Sequence, residues 1–259
     1  MKTKMTWIIL LLNVLNAGTI AQDPAEIVKK SRDIMKVSAF EATSTLTITD
    51  DRGNQRIRES TMASKSYPGE IEKRIIKFTH PPEIRGTGML IVDYPEKTDD
   101  QWIYLPAMRK TRRIVSREKS RSFMGSEFSN ADMTAPGLQD FSYQMEPPRS
   151  LRNTDCFVIR ATPVSNDLAA QYGYASSLLW IGKENYLMLR KEFLSSDGTC
   201  FKTIDNLEVD LLDTTQNRYM VTRMKAVNHR TRRESEMVME RVDIVDTRDT
   251  YFTVSYLEQ

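Results

Sequence analysis

Hydrophobic and polar residues alternate with a period of two along most of the chain, a pattern that predicts β-strands. The first predicted strand is the clearest, because Phe40, Leu46 and Ile48 alternate with polar residues as far as Thr49. Further strands, separated by turn residues, are predicted at 55–63, 70–79, 86–94, 102–105, 109–115, 156–162, 177–181, 186–194, 200–209, 219–227, 237–245 and 251–257. So many strands in meander order indicate one large antiparallel sheet, which must curl or close.

A single helix is predicted before the strands. Asp23 is suited to cap it, Pro24 fits its first position, and Glu26 completes a capping-box pattern. Ile27 and Val28 fall on one face of this helix, opposite charged residues. We expect the helix to cover an apolar sheet. The stretch 116–137 has no regular pattern, apart from a short helical turn predicted at 129–133.

Residues 1–21 have the pattern of a secretory signal peptide: two early lysines, an apolar run and a small-residue cleavage pattern at residues 19–21. An uncleaved membrane anchor is the alternative, but Asn13 and Asn16 interrupt the run, and about 18 apolar residues in succession normally span a bilayer. We therefore expect residues 22–259 to form one soluble domain that is exported by the signal peptide.

Composition excludes nucleic-acid binding through bulk charge. The whole chain has 37 basic and 35 acidic side chains, and removal of Lys2 and Lys4 with residues 1–21 leaves 35 of each. The only two cysteines, Cys156 and Cys200, either form one disulfide or are two unrelated core residues.

No catalytic or metal-binding pattern stands out. The two histidines, His80 and His229, belong to no triad-like or metal-spacing motif, and neither a Gly-x-Ser-x-Gly sequence nor a glycine-rich phosphate loop occurs. Carboxylates are abundant, but nothing singles out a catalytic pair. We expect a protein that is not an enzyme and has no cofactor and no metal.

The stretch 101–133 is the most informative in the chain. In its strand, Trp102 and Tyr104 face one side and Ile103 and Leu105 the other, so both faces need cover, either from helices or from a ligand. A basic cluster follows, which is either a solvated hairpin or a docking surface for anionic headgroups or an acidic partner. Its members that we predict to dock are Arg109, Lys110, Arg112, Arg113, Arg117 and Arg121.

The irregular loop after the basic cluster is rich in methionine and phenylalanine. Such side chains must be buried, and methionine adapts to irregular acyl chains. The loop is either packed permanently on the core or is a lid that opens for a ligand. The residues predicted to line an apolar lipid cavity are Leu90, Val92, Trp102, Tyr104, Phe123, Met124, Phe128, Met133 and Phe141.

Three motifs together resemble the outer-membrane lipoprotein-sorting protein family, within the LolA-like superfamily. They are GTGMLIVDY at residues 86–94, WIYLPA at 102–107 followed by RRI at 112–114, and SFMGSEF at 122–128 ending in Asp132 and Met133. The resemblance implies a mainly β fold, in which a large curved antiparallel sheet forms a half-open, incomplete β-barrel with helices covering its concave side. It also implies that the protein is located in the periplasm and has an apolar cavity for acyl chains.

Two functions are compatible with this resemblance. The first is a periplasmic carrier or chaperone that shields the acyl chains of a lipid or lipoprotein during transport to the outer membrane. The alternative is a sensor or adaptor subunit of a lipid exporter, which binds lipid in order to regulate a partner. Expected partners are acyl chains or lipoproteins, an inner-membrane lipid transporter and an outer-membrane acceptor, with no nucleic acid, and the protein is expected to be a monomer. A purely structural domain would fill the cavity with its own side chains.

Overall fold

The computed structural model describes residues 22–259, and the predicted signal peptide at residues 1–21 lies outside the described residues. The described chain has three α-helices and thirteen β-strands, joined by short 3-10 turns. Their bounds are α1 Pro24–Ile34, β1 Ala39–Thr49, β2 Gln55–Tyr67, β3 Ile71–His80, β4 Gly88–Asp93, β5 Asp100–Leu105, β6 Lys110–Arg113, β7 Phe141–Leu151, β8 Thr154–Pro163, α2 Asn166–Tyr172, β9 Ser176–Gly182, β10 Met188–Leu194, β11 Cys200–Asp213, β12 Arg218–Asn228, β13 Arg233–Asp243 and α3 Val254–Leu257. In this described part, no helix has both the length and the apolar character needed to cross a membrane.

All thirteen strands form one antiparallel sheet in the order β6-β5-β4-β3-β2-β1-β13-β12-β11-β10-β9-β8-β7. The sheet is strongly curved, because Asp93 of β4 and Ala161 of β8 line one common cavity although nine strand spacings separate them. In a flat sheet that separation would be about 43 Å. Strands β6 and β7 remain as two separate edges, so the sheet is not closed into a barrel. The predicted fold class, an incomplete barrel built from one large antiparallel sheet, is confirmed.

The inner face of the sheet is covered by α1 and by residues 114–140, which we call the crossover segment because they connect edge strand β6 to edge strand β7. Helix α1 begins as predicted: Asp23 accepts a hydrogen bond from the Ala25 backbone N–H at 2.9 Å, and Ile27 and Val28 are buried. The crossover segment has no α-helix, but α2 adds Leu168 and Tyr172 to the same inner-face cluster that α1 enters through Ile27 and Val28. Helices therefore cover part of the concave side, as predicted, and the crossover segment covers the rest.

The outer face is covered in part by the C-terminal segment, residues 244–259. Phe252 and Leu257 of this segment are buried against Leu90, with Trp102 and Tyr104 packed around them. Residues 251–257 were predicted to be a strand, and this prediction is wrong: they form a 3-10 turn followed by α3. The Thr253 hydroxyl accepts from the Tyr256 backbone N–H at 3.2 Å and so caps the helix.

Cys156 and Cys200 are both free thiols, so the disulfide alternative is wrong. Cys156 lies on β8 and Cys200 on β11, and strands β9 and β10 run between them. Three strand spacings amount to about 14 Å, whereas a disulfide requires Cα atoms within about 7 Å. Both side chains belong to one apolar cluster, and burial raises the pKa of each thiol. A thiol with a raised pKa reacts slowly, as expected for a core residue.

Candidate functional site

A cavity of about 540 Å³ lies on the inner face, where α1 meets the crossover segment. Residues 132–139 of the crossover segment and α1 form one wall, and strands from both halves of the sheet form the other. The volume falls within the range of about 300–1,000 Å³ that is typical of sites for one small ligand. Among residues 22–259, no group of three or more His, Cys, Asp or Glu side chains is placed to hold a metal ion.

Methionine dominates the apolar lining of this cavity. Eight of the fourteen methionines in the sequence line it: Met35, Met62, Met133, Met188, Met220, Met224, Met237 and Met239. Methionine is unbranched and polarisable, so it adjusts to irregular apolar shapes. The lining therefore suits a flexible hydrocarbon chain better than a rigid planar ligand.

Strands β12 and β13 separate at the cavity. They pair from Asn228 and Arg233 as far as Arg223 and Val238, and beyond that point each strand runs on without the other. Met220 of β12 and Met239 of β13 lie past the point of separation and line the cavity. The end of α1 lies over this region, since Arg218 donates a hydrogen bond to the Asp33 carbonyl oxygen.

Hydrogen bonds tie the crossover segment to strands on both sides of the cavity. Arg74 of β3 donates to the Met133 carbonyl oxygen at 2.9 Å, and Asp93 of β4 accepts from the Ala135 backbone N–H at 3.3 Å. From the other half of the sheet, Lys202 of β11 donates to Asp132 at 2.7 Å. These contacts fix residues 132–135 as a cover over the cavity.

Asp93 is a buried carboxyl group that faces the cavity. It is 5 % exposed, and its Oδ2 atom has no hydrogen-bond partner in the described structure. Burial raises the pKa of Asp93 to about 7, against the opposing effect of the Arg74 guanidinium, which Glu72 partly neutralises. Near neutral pH this carboxyl is therefore close to half protonated.

The raised pKa of Asp93 predicts a specific pH dependence of stability. The folded protein binds this proton more tightly than the unfolded chain, so the free energy of unfolding should fall as pH rises from about 4 to 7. Asp93→Asn should remove that fall and be more stable than wild type at pH 8, by on the order of 2–4 kcal/mol. Urea unfolding of both proteins at pH 4 to 8 measures the difference. Identical pH slopes would contradict this account, and Asp51→Asn on an exposed turn is the matched control.

The structure disperses the crossover-segment residues that were predicted to line a lipid cavity. Met133 lies in the lining of the large cavity, as does Phe141 at the start of β7. Phe123 and Phe128 are instead buried in the core between the crossover segment and the inner face, with Phe128 fully inaccessible. Phe123 and Met124 also border a separate hollow of about 140 Å³. This part of the segment is packed on the core and does not line the large cavity.

The four predicted cavity residues on β4 and β5 lie on the wrong face. Leu90, Trp102 and Tyr104 pack against the C-terminal segment on the outer face, and Val92 shares that face because side chains alternate along a strand. The prediction that these four line the cavity is corrected by this placement. The strand does have cover on both faces, but helix α3 and its preceding turn supply the cover that the aromatic residues need.

Ion pairs within the chain occupy half of the predicted docking cations. Arg112 and Arg121 pair with Glu118, at 2.7 and 3.3 Å, and Arg113 pairs with Asp100. Among residues 22–259, the remaining three have no carboxylate within 4 Å: Arg109, Lys110 and Arg117. Exposed apolar side chains lie beside them, with Met108 62 % and Val115 44 % exposed.

Sequence reasoning missed most of the cavity wall. The sequence does contain a signal for the methionines of β12 and β13. Met220 and Met224 are spaced to share one face of a strand, and so are Met237 and Met239. Lys191 of β10 also lines the cavity, and nothing in its sequence context distinguishes it from other lysines. Only the pairing of distant strands brings these residues together.

Comparison with known proteins identifies relatives of the whole described fold. A family model described as "Uncharacterized protein" matches residues 70–259, which is more than two thirds of the chain. No curated protein matches the chain at a significant level.

Three solved structures share the fold. A proposed outer membrane lipoprotein-sorting protein domain from Vibrio parahaemolyticus has a TM-score of 0.83 and 24% identity, and the match covers 91% of this chain and 98% of that one. A DUF1329 family protein from Desulfovibrio piger has a TM-score of 0.82 and 24% identity, covering 91% and 100%. A LolA superfamily protein from Nitrosomonas europaea has a TM-score of 0.70 and 20% identity, also covering 91% and 100%.

Proposed function

Because the chain belongs to the outer-membrane lipoprotein-sorting protein family, within the LolA-like superfamily, we propose that it is a periplasmic carrier that shields lipid acyl chains in its methionine-lined cavity. The observation that carries this proposal is the cavity of about 540 Å³ with eight methionines in its lining. Each methylene group that moves from water into such a site contributes about 0.8 kcal/mol. The periplasmic location rests on the signal-peptide pattern of residues 1–21.

Binding of a fluorescent fatty acid tests the acyl-chain proposal. Delipidated protein should raise the emission of dansyl-undecanoic acid with a saturable curve and a stoichiometry of one probe per chain, as expected for a single cavity of about 540 Å³. Unlabelled palmitate should displace the probe, because both compete for the same apolar wall. A signal that rises linearly without saturation would contradict the proposal.

Multiple turnover separates a carrier from a sensor. A carrier must release its ligand, so catalytic amounts of protein should move labelled acyl lipid from donor to acceptor vesicles in excess of the protein concentration. A sensor would stop at about one lipid per protein molecule. Transfer that stops at about one lipid per protein molecule would favour the sensor or adaptor alternative over the carrier, and acyl binding itself would still stand.

Three cations that have no carboxylate partner within residues 22–259 form, with two exposed apolar side chains, a surface that suits an anionic membrane. We call Met108, Arg109, Lys110, Val115 and Arg117 the hairpin surface, since they surround the hairpin of β5 and β6. Near an anionic bilayer each lysine or arginine contributes about 1 kcal/mol, and exposed Met and Val can enter the headgroup region. We propose that this surface docks the carrier on anionic headgroups.

Charge reversal tests the hairpin surface. The variant Arg109→Glu, Lys110→Glu, Arg117→Glu should bind anionic vesicles at least tenfold more weakly at low salt, because three attractive charges become repulsive. Co-sedimentation measures the effect, which should shrink as salt rises. The matched control makes the same charge change at Arg52, Arg56 and Arg248, which are exposed elsewhere. Equal weakening of vesicle binding in both variants would mean that only the net charge of the protein matters, and this would contradict a docking role for the hairpin surface.

A further inference from the structure

Lys191 has an ammonium group at the cavity that forms no ion pair with any carboxylate of the described residues. Its Nζ atom donates one hydrogen bond, to the Tyr174 hydroxyl at 3.0 Å, and lies 4.8 and 4.7 Å from the ring centroids of Tyr174 and Phe193. Within residues 22–259 no carboxylate comes within 4 Å of it, although Lys191 lines the cavity. An ammonium group has three donors, so two remain for a ligand.

Asp132, the carboxylate whose charge acts on Lys191, is already engaged. Oδ2 of Asp132 accepts from Lys202 at 2.7 Å and from the Ser129 backbone N–H at 2.8 Å. Asp132, Lys191 and Lys202 together therefore have one positive charge in excess. Burial lowers the pKa of Lys191 to about 8, and the Coulomb attraction of Asp132 offsets only part of that effect. A half-buried charge that has lost part of its hydration and has no full partner is costly, and an anion from the ligand would remove that cost.

The charges on the opposite side of the cavity do not compete for an anion. Arg74 is paired with Glu72 and also donates to the Met133 carbonyl oxygen. Asp93 beside it is acidic, and burial raises its pKa to about 7. Three further cations, Lys29, Arg32 and Lys36, lie at the α1 side of the lining, where they are exposed or half-buried and water screens them. Away from that rim, an anionic group is therefore attracted to the Lys191 side and not to the Asp93 side.

We infer that Lys191 binds the anionic head of the ligand, a carboxylate or a phosphate, while the acyl chain lies along the methionine lining. This inference rests on the proposed function and deepens it, because it names the ligand class as an acyl chain with an anionic head. A cavity of about 540 Å³ has room for the tail and a small head together. The Lys191 ammonium and the Tyr174 hydroxyl next to it mark where the head lies.

Affinities for charged and uncharged palmitoyl compounds test the inference. Palmitate, palmitoyl lysophosphatidic acid and methyl palmitate are each measured by displacement of a fluorescent acyl probe at pH 7. Wild type should prefer an anionic compound to the methyl ester by about tenfold or more, as expected for a charge-assisted hydrogen bond. The tighter of the two anions then tells whether the head is a carboxylate or a phosphate.

Two substitutions at Lys191 make the test specific. Lys191→Met should abolish the preference for an anion over methyl palmitate, whereas Lys191→Arg should keep that preference. Lys183→Met, outside the cavity, is the matched control, and urea midpoints show that each variant is folded. If Lys191→Met keeps the preference, the inference is overturned while the proposed function stands. If wild type binds neither acid nor ester, the proposed function itself fails.

Discussion

Replacing Asp132 with alanine will lower the free energy of unfolding by about 3–5 kcal/mol, the cost of leaving a buried charge without its partner. The side chains of Asp132 and Lys202 are only 8 % and 10 % exposed, and they lie 2.7 Å apart. Burial alone would raise the pKa of Asp132, but Lys202 and Lys191 outweigh burial and lower it. Removing this carboxylate leaves the ammonium groups of Lys191 and Lys202, which lie 4.7 and 4.1 Å from the Phe193 ring centroid, without the negative charge that both attract. Urea unfolding at pH 7 measures the loss.

The reverse substitution should cost less than the first. Lys202→Met leaves Asp132 with Lys191 as a remaining counter-ion, and the double variant Asp132→Ala, Lys202→Met should recover part of the loss. Asp243→Ala, which breaks the exposed pair with Arg241, should cost less than about 1 kcal/mol and is the control. Equal losses for Asp132→Ala and Lys202→Met, or a loss below about 1 kcal/mol for Asp132→Ala, would show that this pair does not hold the crossover segment.

Replacing Met224 with aspartate will weaken acyl binding by about a hundredfold, because a carboxylate at the wall must lose its hydration when the hydrocarbon chain enters. Met224 is half-buried on β12 and lines the cavity. The dissociation constant of a fluorescent fatty acid measures the effect, and circular dichroism shows that the variant is folded.

Two variants control for this effect. Met224→Leu keeps an apolar wall of similar volume and should bind the fatty acid within about threefold of wild type. Leu211→Asp places the same charge on the same hairpin at an exposed position outside the cavity, and should also bind normally. Weak fatty-acid binding by Leu211→Asp as well would mean that a negative charge anywhere on the hairpin weakens binding. That result would contradict the claim that the acyl chain binds in the cavity.

The sequence predicts most strands because half-buried strands have a period of two. The prediction fails where prolines interrupt that pattern or where an element is too short to show a period. β7 was missed because it contains Pro147 and Pro148, which are tolerated only because β7 is an edge strand with a register shift at this place. Helix α2 was missed because it is seven residues long, although Ser165 caps it with a 3.2 Å bond from the Leu168 backbone N–H.

The site was harder to predict than the fold, because a strand pattern says which residues share a face but not which face is inside. Trp102 and Tyr104 form a clear apolar face, yet the C-terminal segment covers it. Met133 lies in the cavity lining, but α1 and strands of both halves of the sheet, including β10, β12 and β13, also line the cavity and are far from it in sequence. Which strands curl toward one another depends on the order of the sheet, and no local pattern contains that order.

Native mass spectrometry tests the central claim, that the cavity holds an acyl chain, most directly. Delipidated protein is incubated with vesicles that contain a palmitoyl lipid, separated from them, and weighed intact beside the Met224→Asp variant. The account predicts that wild type gains the mass of bound acyl lipid at a fixed ratio of one per chain, and that Met224→Asp keeps the bare mass. Bare mass in both proteins, or equal lipid on both, would contradict it.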